Sequence, residues 1–391
     1  MTATSDIDLY GAEALADPWP AYARLRAMGS AVWLERVGAW FIGRHADVQH
    51  ALGDWETFSS ARGIGLNPVI NAAWDEALIC TDPPLHTERR ALFGAALGPA
   101  ALKRVSDTID GRARDLADRL VAMERIDGVA DLACDLPVNV VMELIGWPAD
   151  IRPQLLRIAE EAWNGAGPPG PLTDAGLATL QAMMAMIGEI FDANTVTPDG
   201  YAAQLIAAAR AGAITRDTAI GLLAGYVVAA FETTIAAVAS GAWLFARYPG
   251  EWDKLRANPK LAMSAANEIV RMESPLQKFA RFVTRDAVMS DGTTIPAGSR
   301  AIVCYGSANR DERQFSQPDA FVIDRRERQN LGFGHGPHAC AGQGLARMEM
   351  TAIFAALAQK VARFEIDGEP TRIVNNVAYG FARLPLRVVG A

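Results

Sequence analysis

"FGHGPHACAG", residues 333–342, sets one cysteine among three glycines, a proline and two histidines. Directly after it, Ala346, Met350, Ile353, Leu357 and Val361 recur at helical spacing, so a helix is expected to start just past Cys340. Four readings of Cys340 are open at this point. A free cysteine is commonly a buried structural thiol. It could ligate zinc with His335 or His338, although zinc wants four ligands and the chain offers no second cysteine nearby. It could be a nucleophile, but His338 two residues away fits no known cysteine–histidine pairing. The fourth reading explains the surroundings. A thiolate is stabilised by N–H donors and positive potential, and a helix N-terminus supplies both. Gly334, Gly336 and Gly342 keep the backbone tight and leave room for a large flat ligand beside the sulfur. A thiolate presented in this way suits an axial ligand to haem iron.

The same stretch resembles the cysteine-ligand loop of the cytochrome P-450 superfamily, the haem-thiolate monooxygenases, whose pattern is F-G-x-G-x-H-x-C-x-G. Every fixed position is filled. The resemblance implies haem b as cofactor and Cys340 as the iron ligand. It makes Phe333 the ring beside the sulfur and Gly342 part of the cradle.

Three further motifs agree. "EIVR" (268–271) is by itself an ordinary ion pair one helical turn apart. "PDAFVIDR" (318–325) follows before the cysteine loop. The resemblance makes Glu268, Arg271 and Arg325 a structural network supporting that loop. In "DPPLHTERR" (82–90), His86 and Arg90 share a helix face. A solvated face is the plain reading, but haem carries two propionates whose burial calls for charged donors. The resemblance assigns His86, Arg90, Arg281 and His338 to them. In "AAFETT" (229–234), a Glu-Thr pair interrupts an apolar run, which is costly unless the pair is satisfied or used. The family has an acid–alcohol pair here, so Glu232 and Thr233 are implied to deliver protons to bound dioxygen. Ala230 departs from the family's usual glycine.

The chain has 391 residues, half of them hydrophobic, and a net charge of −8 with no basic stripe, which argues against a nucleic-acid binder. Four scattered cysteines with no CxxC point to a reducing cytoplasm. The acidic start, "MTATSDIDLYGAEALADPWP", reads as neither signal peptide nor membrane anchor. Thr218–Ala246 is long enough to span a bilayer, but Glu232 near its middle favours a buried helix.

Helices are expected at about 18–28, with Asp17 as N-cap and Gly29 as the stop, and at 45–52, 84–93, 100–124, 138–146, 151–163, 175–192, 201–211, 218–246 and 260–273, and after Cys340. Strand signals fall around Val37-Gly38, at 282–303 and at 363–388. Residues 57–80 read as an irregular loop. This is an α-rich α+β pattern, mainly α with small β-sheets. The resemblance spans nearly the whole chain. It implies one haem-thiolate monooxygenase domain over 1–391, with the P-450 fold and its long central helix over the haem. It also implies O2 and a small-molecule substrate, with electrons from a ferredoxin and its NAD(P)H-dependent reductase. Arg89, Lys103 and Arg347 are candidate docking contacts. A peroxide-driven peroxygenase and a non-catalytic haem sensor are the alternatives.

The expected pocket walls are Leu66, Ile70, Trp74, Trp163, Val228, Ala229, Gln277, Phe279 and Phe381, an apolar and aromatic set. "SSARGIGL", "WNGAGPP", "ESPLQKF", "GSANRD" and "VNNVAYGFARLP" are similar to a bacterial branch that hydroxylates or O-demethylates para-substituted benzoic acids. That branch anchors the substrate carboxylate with arginine and serine. Here the matching segments read "NAAWDEALICTDPP" and "LLAGYVV". This puts an anionic benzoate in question and opens the way to a neutral aromatic or a small terpenoid. Arg62 and Lys278 are the remaining candidate anchors.

Overall fold

The computed structural model describes residues 3–327 and 329–391. Helices dominate, and two larger sheets and two hairpins frame them. The six-stranded sheet runs in the order Thr4–Ser5, Ala31–Leu34, Ala39–Ile42, Arg300–Cys304, Lys278–Val283, Phe58–Ser59. It joins the N-terminal region to the strands that precede the cysteine loop. The turn at Val37-Gly38 closes the first hairpin, and Gly38 takes the positive φ of 60° that such a turn needs. A three-stranded sheet of Val361–Ile366, Pro385–Gly390 and Arg125–Asp127 gathers the end of the chain.

Most expected helices are present with shifted ends. The first of that set, Trp19–Met28, starts one residue past the expected place, and Asp17 Oδ1 accepts the Trp19 N–H at 3.4 Å. A short helix, Ala12–Ala16, precedes it, and Pro249–Ala257 is an added helix. Residues 57–80 hold more order than a loop, with a helix at Pro68–Ala73 capped by the Asn67 side chain and a 3-10 turn at Leu78–Cys80.

The long apolar segment lies inside the molecule, with 78% of its most hydrophobic window buried. It is also two helices, Arg216–Ala230 and Glu232–Arg247, divided at Phe231 (φ −87°, ψ −67°). The cause is local. The Val228 carbonyl accepts the Trp163 indole N–H at 3.1 Å, and the Ala229 carbonyl accepts the Thr233 hydroxyl at 2.9 Å. Side-chain donors thus occupy two carbonyls of the turn where the helix breaks.

Candidate functional site

The cysteine loop is a tight hairpin of backbone. The Cys340 N–H donates to the Phe333 carbonyl at 2.7 Å, and Gly334 N–H to Leu331 at 2.8 Å. Gly334 and Gly336 have φ of 70° and 68°. A Cβ on Gly336 would lie 2.4 Å from the Leu52 carbonyl oxygen, so this position takes only glycine. Gly342 is different. A Cβ there would meet no atom within 4 Å and would project into the cavity. Burial pushes the Cys340 thiol up, while N–H groups of Gly342 and Gln343 and the charges of Arg90 and Arg347 pull it down. Gln343 begins the Gln343–Lys360 helix, so the sulfur sits at a helix N-terminus as the sequence pattern predicts. The Arg347 guanidinium stacks 4.3 Å over the Phe333 ring and bonds Asn267 and Gln343, at 2.9 and 2.7 Å.

Four basic side chains meet beside this loop: His86 and Arg90 from the Leu85–Leu97 helix, Arg281 from the Lys278–Val283 strand, and His338. The His86 and His338 rings stand 4.2 Å apart. Arg90 donates to the Ala339 carbonyl at 2.7 Å. Burial first, then Arg281, His86 and Arg90, drive the His338 imidazole down to about 2. Asp82 lies 4.0 Å from His338 Nε2, but Ser59 Oγ and Ser60 N already bond it. His86 Nε2 and His338 Nε2 are buried without partners. A cluster of mutually repelling donors around unsatisfied nitrogens is completed by an anion.

All four line one cavity together with Phe333, Cys340 and Gly342. It holds about 1590 Å³ of non-atom space, its open mouth included. These residues fit haem: a sulfur donor at the floor, a glycine that leaves the floor clear, and paired donors at one edge for its two carboxylates.

Thr233, Val228 and Ala229 line the opposite face of the cavity, at the helix break. Glu232 does not. Its carboxylate is buried, with Oε1 3.6 Å from where a Gly380 Cβ would stand. Burial, then the nearby Glu160, push Glu232 up to about 8. The folded chain therefore holds a proton here that the unfolded chain, near 4.5, has released. The stability linked to this group is lost as pH rises from about 4.5 towards 8. Glu232→Gln is expected to flatten the fall of melting temperature across that window. Parallel slopes for variant and parent would contradict it.

Behind the loop, Glu268 takes the Arg271 guanidinium side-on, through Nε and Nη2, at 2.7 and 2.8 Å and Arg325 at 3.0 Å. Arg271 also donates to the carbonyls of Asn309, Pro318 and Ala320. The Asn309 side chain accepts the Leu331 N–H at 2.6 Å. A single residue thus links the ion network to the start of the cysteine loop.

Of the expected pocket residues, Trp74, Trp163, Val228, Ala229 and Phe279 line the cavity. Four fall outside the lining. Leu66 packs on the minor core and Ile70 against Gly65 and Gly165. Gln277 donates to the Glu273 and Ser274 carbonyls, and Phe381 lies against Trp243 and Arg372. Leu78, Ile79, Leu276 and Tyr305 join the wall instead, and Tyr226 and Glu349 bring buried polar atoms without partners to it. No sequence signal marks these residues, because chain crossings bring them together. Arg89 is not a surface contact. It is buried, bonded to the Glu76 carboxylate and to the Asp75 and Glu76 carbonyls.

Fold and cavity define a mainly helical protein with one cavity in which a cysteine at a helix N-terminus and four basic side chains meet. The sequence profile described as Cytochrome P450 matches residues 252–387. The chain is 36% identical to cytochrome p450 CYP199A2 of Rhodopseudomonas palustris, over 98% of this chain and 94% of that one. It is 30% identical to linalool 8-monooxygenase of Pseudomonas putida, over 95% and 96%. A crystal structure of CYP109E1 from Bacillus megaterium in complex with testosterone superposes with a TM-score of 0.86 at 26% identity, covering 96% of this chain and 98% of that one. The chain belongs to the cytochrome P450 family: it is a haem b-dependent monooxygenase acting with O2 on a small-molecule substrate.

Proposed function

We propose that Cys340 ligates the haem iron and that the enzyme hydroxylates or O-demethylates a small aromatic molecule with electrons from a ferredoxin. The carrying observation is the convergence of one sulfur, at a helix N-terminus, with four basic side chains in a single cavity, two of them histidines with partnerless buried nitrogens. His86, Arg90, Arg281 and His338 hold the propionates. Phe333 packs beside the sulfur under Arg347, and Gly342 leaves the macrocycle unobstructed. Glu268, Arg271 and Arg325 hold the loop in place. When bound, the haem supplies the dioxygen-activating and oxygen-transferring chemistry.

The chain's own part is binding and proton supply. Thr233 lines the cavity, its hydroxyl bonded to the Ala229 carbonyl. Glu232, raised to about 8, carries a proton at neutral pH, stands next to Thr233 in the chain and is near enough to the exposed Glu160 to feel its charge. Protons enter through these carboxyls and are handed on at Thr233 Oγ1. Lys103 is exposed beside Leu102, which touches Gly344 at the start of the cysteine-side helix, so it suits an acidic ferredoxin. Arg347 is half-buried and holds the loop instead. The core that surrounds the cavity runs from Ala31 to Val388, which supports one catalytic domain over 1–391. The free cysteines suit the cytoplasm.

The test is turnover of the haem-loaded protein with a ferredoxin, its reductase and NADH. Thr233→Ala is expected to bind substrate as the parent does, yet form at least about tenfold less product per NADH, the rest appearing as peroxide. Unchanged coupling would remove Thr233 from proton delivery.

A further inference from the structure

We propose that the substrate is an electrically neutral aromatic molecule, held by ring contacts and one hydroxyl, with no salt bridge. This rests on the reading of the cavity as the haem and substrate site. Three rings build the end of the cavity away from the cysteine. Trp74 meets Trp163 edge to face with centroids 5.7 Å apart, and Trp163 meets Phe279 at 5.2 Å. The Trp163 indole N–H is already given to the Val228 carbonyl, so this side chain offers an apolar face in a fixed orientation.

The basic side chains that could have anchored a carboxylate are committed elsewhere. The Arg62 guanidinium stacks 4.2 Å over the Phe282 ring. Lys278 lies 4.8 Å over the Tyr10 ring, away from the cavity lining. Arg89 is buried against Glu76. Arg90, Arg281, His86 and His338 do line the cavity, but they cluster beside the cysteine loop, where the two propionates need them. Of these cations Arg281 comes nearest the rings, through Tyr305, which lies 6.1 Å from Phe279, and Arg281 is already given to Tyr305 and to the Ala280 carbonyl.

The segment covering that end adds the opposite sign. Trp74, Ala77, Leu78 and Ile79 face inward, with Asp75 and Glu76 between them. Glu76 is tied by Arg89 and by the Thr218 hydroxyl at 2.9 Å, so it stays where it is. An entering carboxylate would lose its water to an apolar wall, find the nearest buried cation, Arg89, already paired with Glu76, and gain no partner. A methoxyarene or an alkylarene loses nothing comparable. The buried Thr234 hydroxyl remains for an ether or phenol oxygen.

The experiment is an optical titration of the ferric holoprotein with 4-methoxytoluene and with 4-methoxybenzoate, which share ring and ether and differ in charge. The neutral compound is expected to shift the Soret band at a concentration at least about tenfold lower than the acid. Ile79→Arg, at a half-buried position of the wall, is expected to bring the acid's half-saturation down towards that of the neutral compound. Equal or tighter binding of the acid by the parent protein overturns the inference, and so does a Soret band that neither compound moves. Absence of any Soret band after haem loading is a separate result. It strikes the reading of the site before charge preference is asked.

Discussion

Cys340→Ala is expected to abolish the thiolate signature of the reduced carbon monoxide complex and to remove monooxygenase turnover. Losing a residue that only supports a metal ligand typically costs roughly 10–100-fold. Losing the ligand itself should exceed that, so the expected fall is beyond about a hundredfold. The loop is shaped around this one sulfur. Its N–H is spent on Phe333, and the N–H groups of Gly342 and Gln343 point at the sulfur. The glycine at 336 allows the turn beneath it. An alanine fits the same backbone, so the apoprotein should fold. Far-ultraviolet circular dichroism should therefore match the parent while the haem spectrum changes. A variant that kept the thiolate spectrum would take Cys340 out of the site, and Cys80, Cys134 and Cys304 would then need testing.

The second large effect is on folding. Arg271→Ala is expected to destabilise the protein by about 3 kcal/mol, the lower end of the usual cost of breaking a buried ion pair, because Glu268 keeps Arg325 at 3.0 Å. Glu268 is 4% exposed and Arg271 1%, so solvent cannot replace the lost partner. The substitution also removes the donor to the Asn309, Pro318 and Ala320 carbonyls, and Asn309 carries the Leu331 N–H. Denaturant unfolding should show the loss, and haem incorporation should fall with it because the loop's anchor is loosened. A variant with parental stability and full haem content would mean that the network is dispensable. The contrast with Thr233→Ala separates the roles. One variant should fail to assemble the site, the other should assemble it and waste electrons.

The mechanistic picture divides the cavity into three zones. At the floor, sulfur and glycine receive the cofactor. At one edge, four basic groups are the proposed partners of its carboxylates, and burial first, then the neighbouring cations, suppress His338 so strongly. At the far end, rings receive the substrate. Protons come from the side, through a carboxyl that faces another carboxyl and not a base. Burial first, and that second carboxyl after it, hold Glu232 protonated near neutrality.

The local chemistry was legible in the sequence. Positive-φ glycines, a helix start behind Cys340 and an acid–alcohol pair in an apolar run depend on neighbours within a few residues. So do the His86–Arg90 face and the Glu268–Arg271 pair. Helix existence followed from periodicity, while helix ends slipped by up to four residues because capping depends on tertiary partners. The break at Phe231 was not legible, since Trp163, 65 residues away, takes the Val228 carbonyl. Nor was the fate of Arg89, whose helix position promised a surface and whose partners lie on another segment. The same holds for the pocket. Leu66, Ile70, Gln277 and Phe381 have the right chemistry but face other cores, and Leu78, Ile79 and Tyr305 replace them. The sequence alone determined the family, the cofactor and its ligand-bearing loop, because those are written in short contiguous patterns. Only the tertiary structure decided which way Glu232 points, where each cation is used and what charge the substrate end accepts. These depend on segments distant in the chain competing for the same hydrogen bonds and the same buried space.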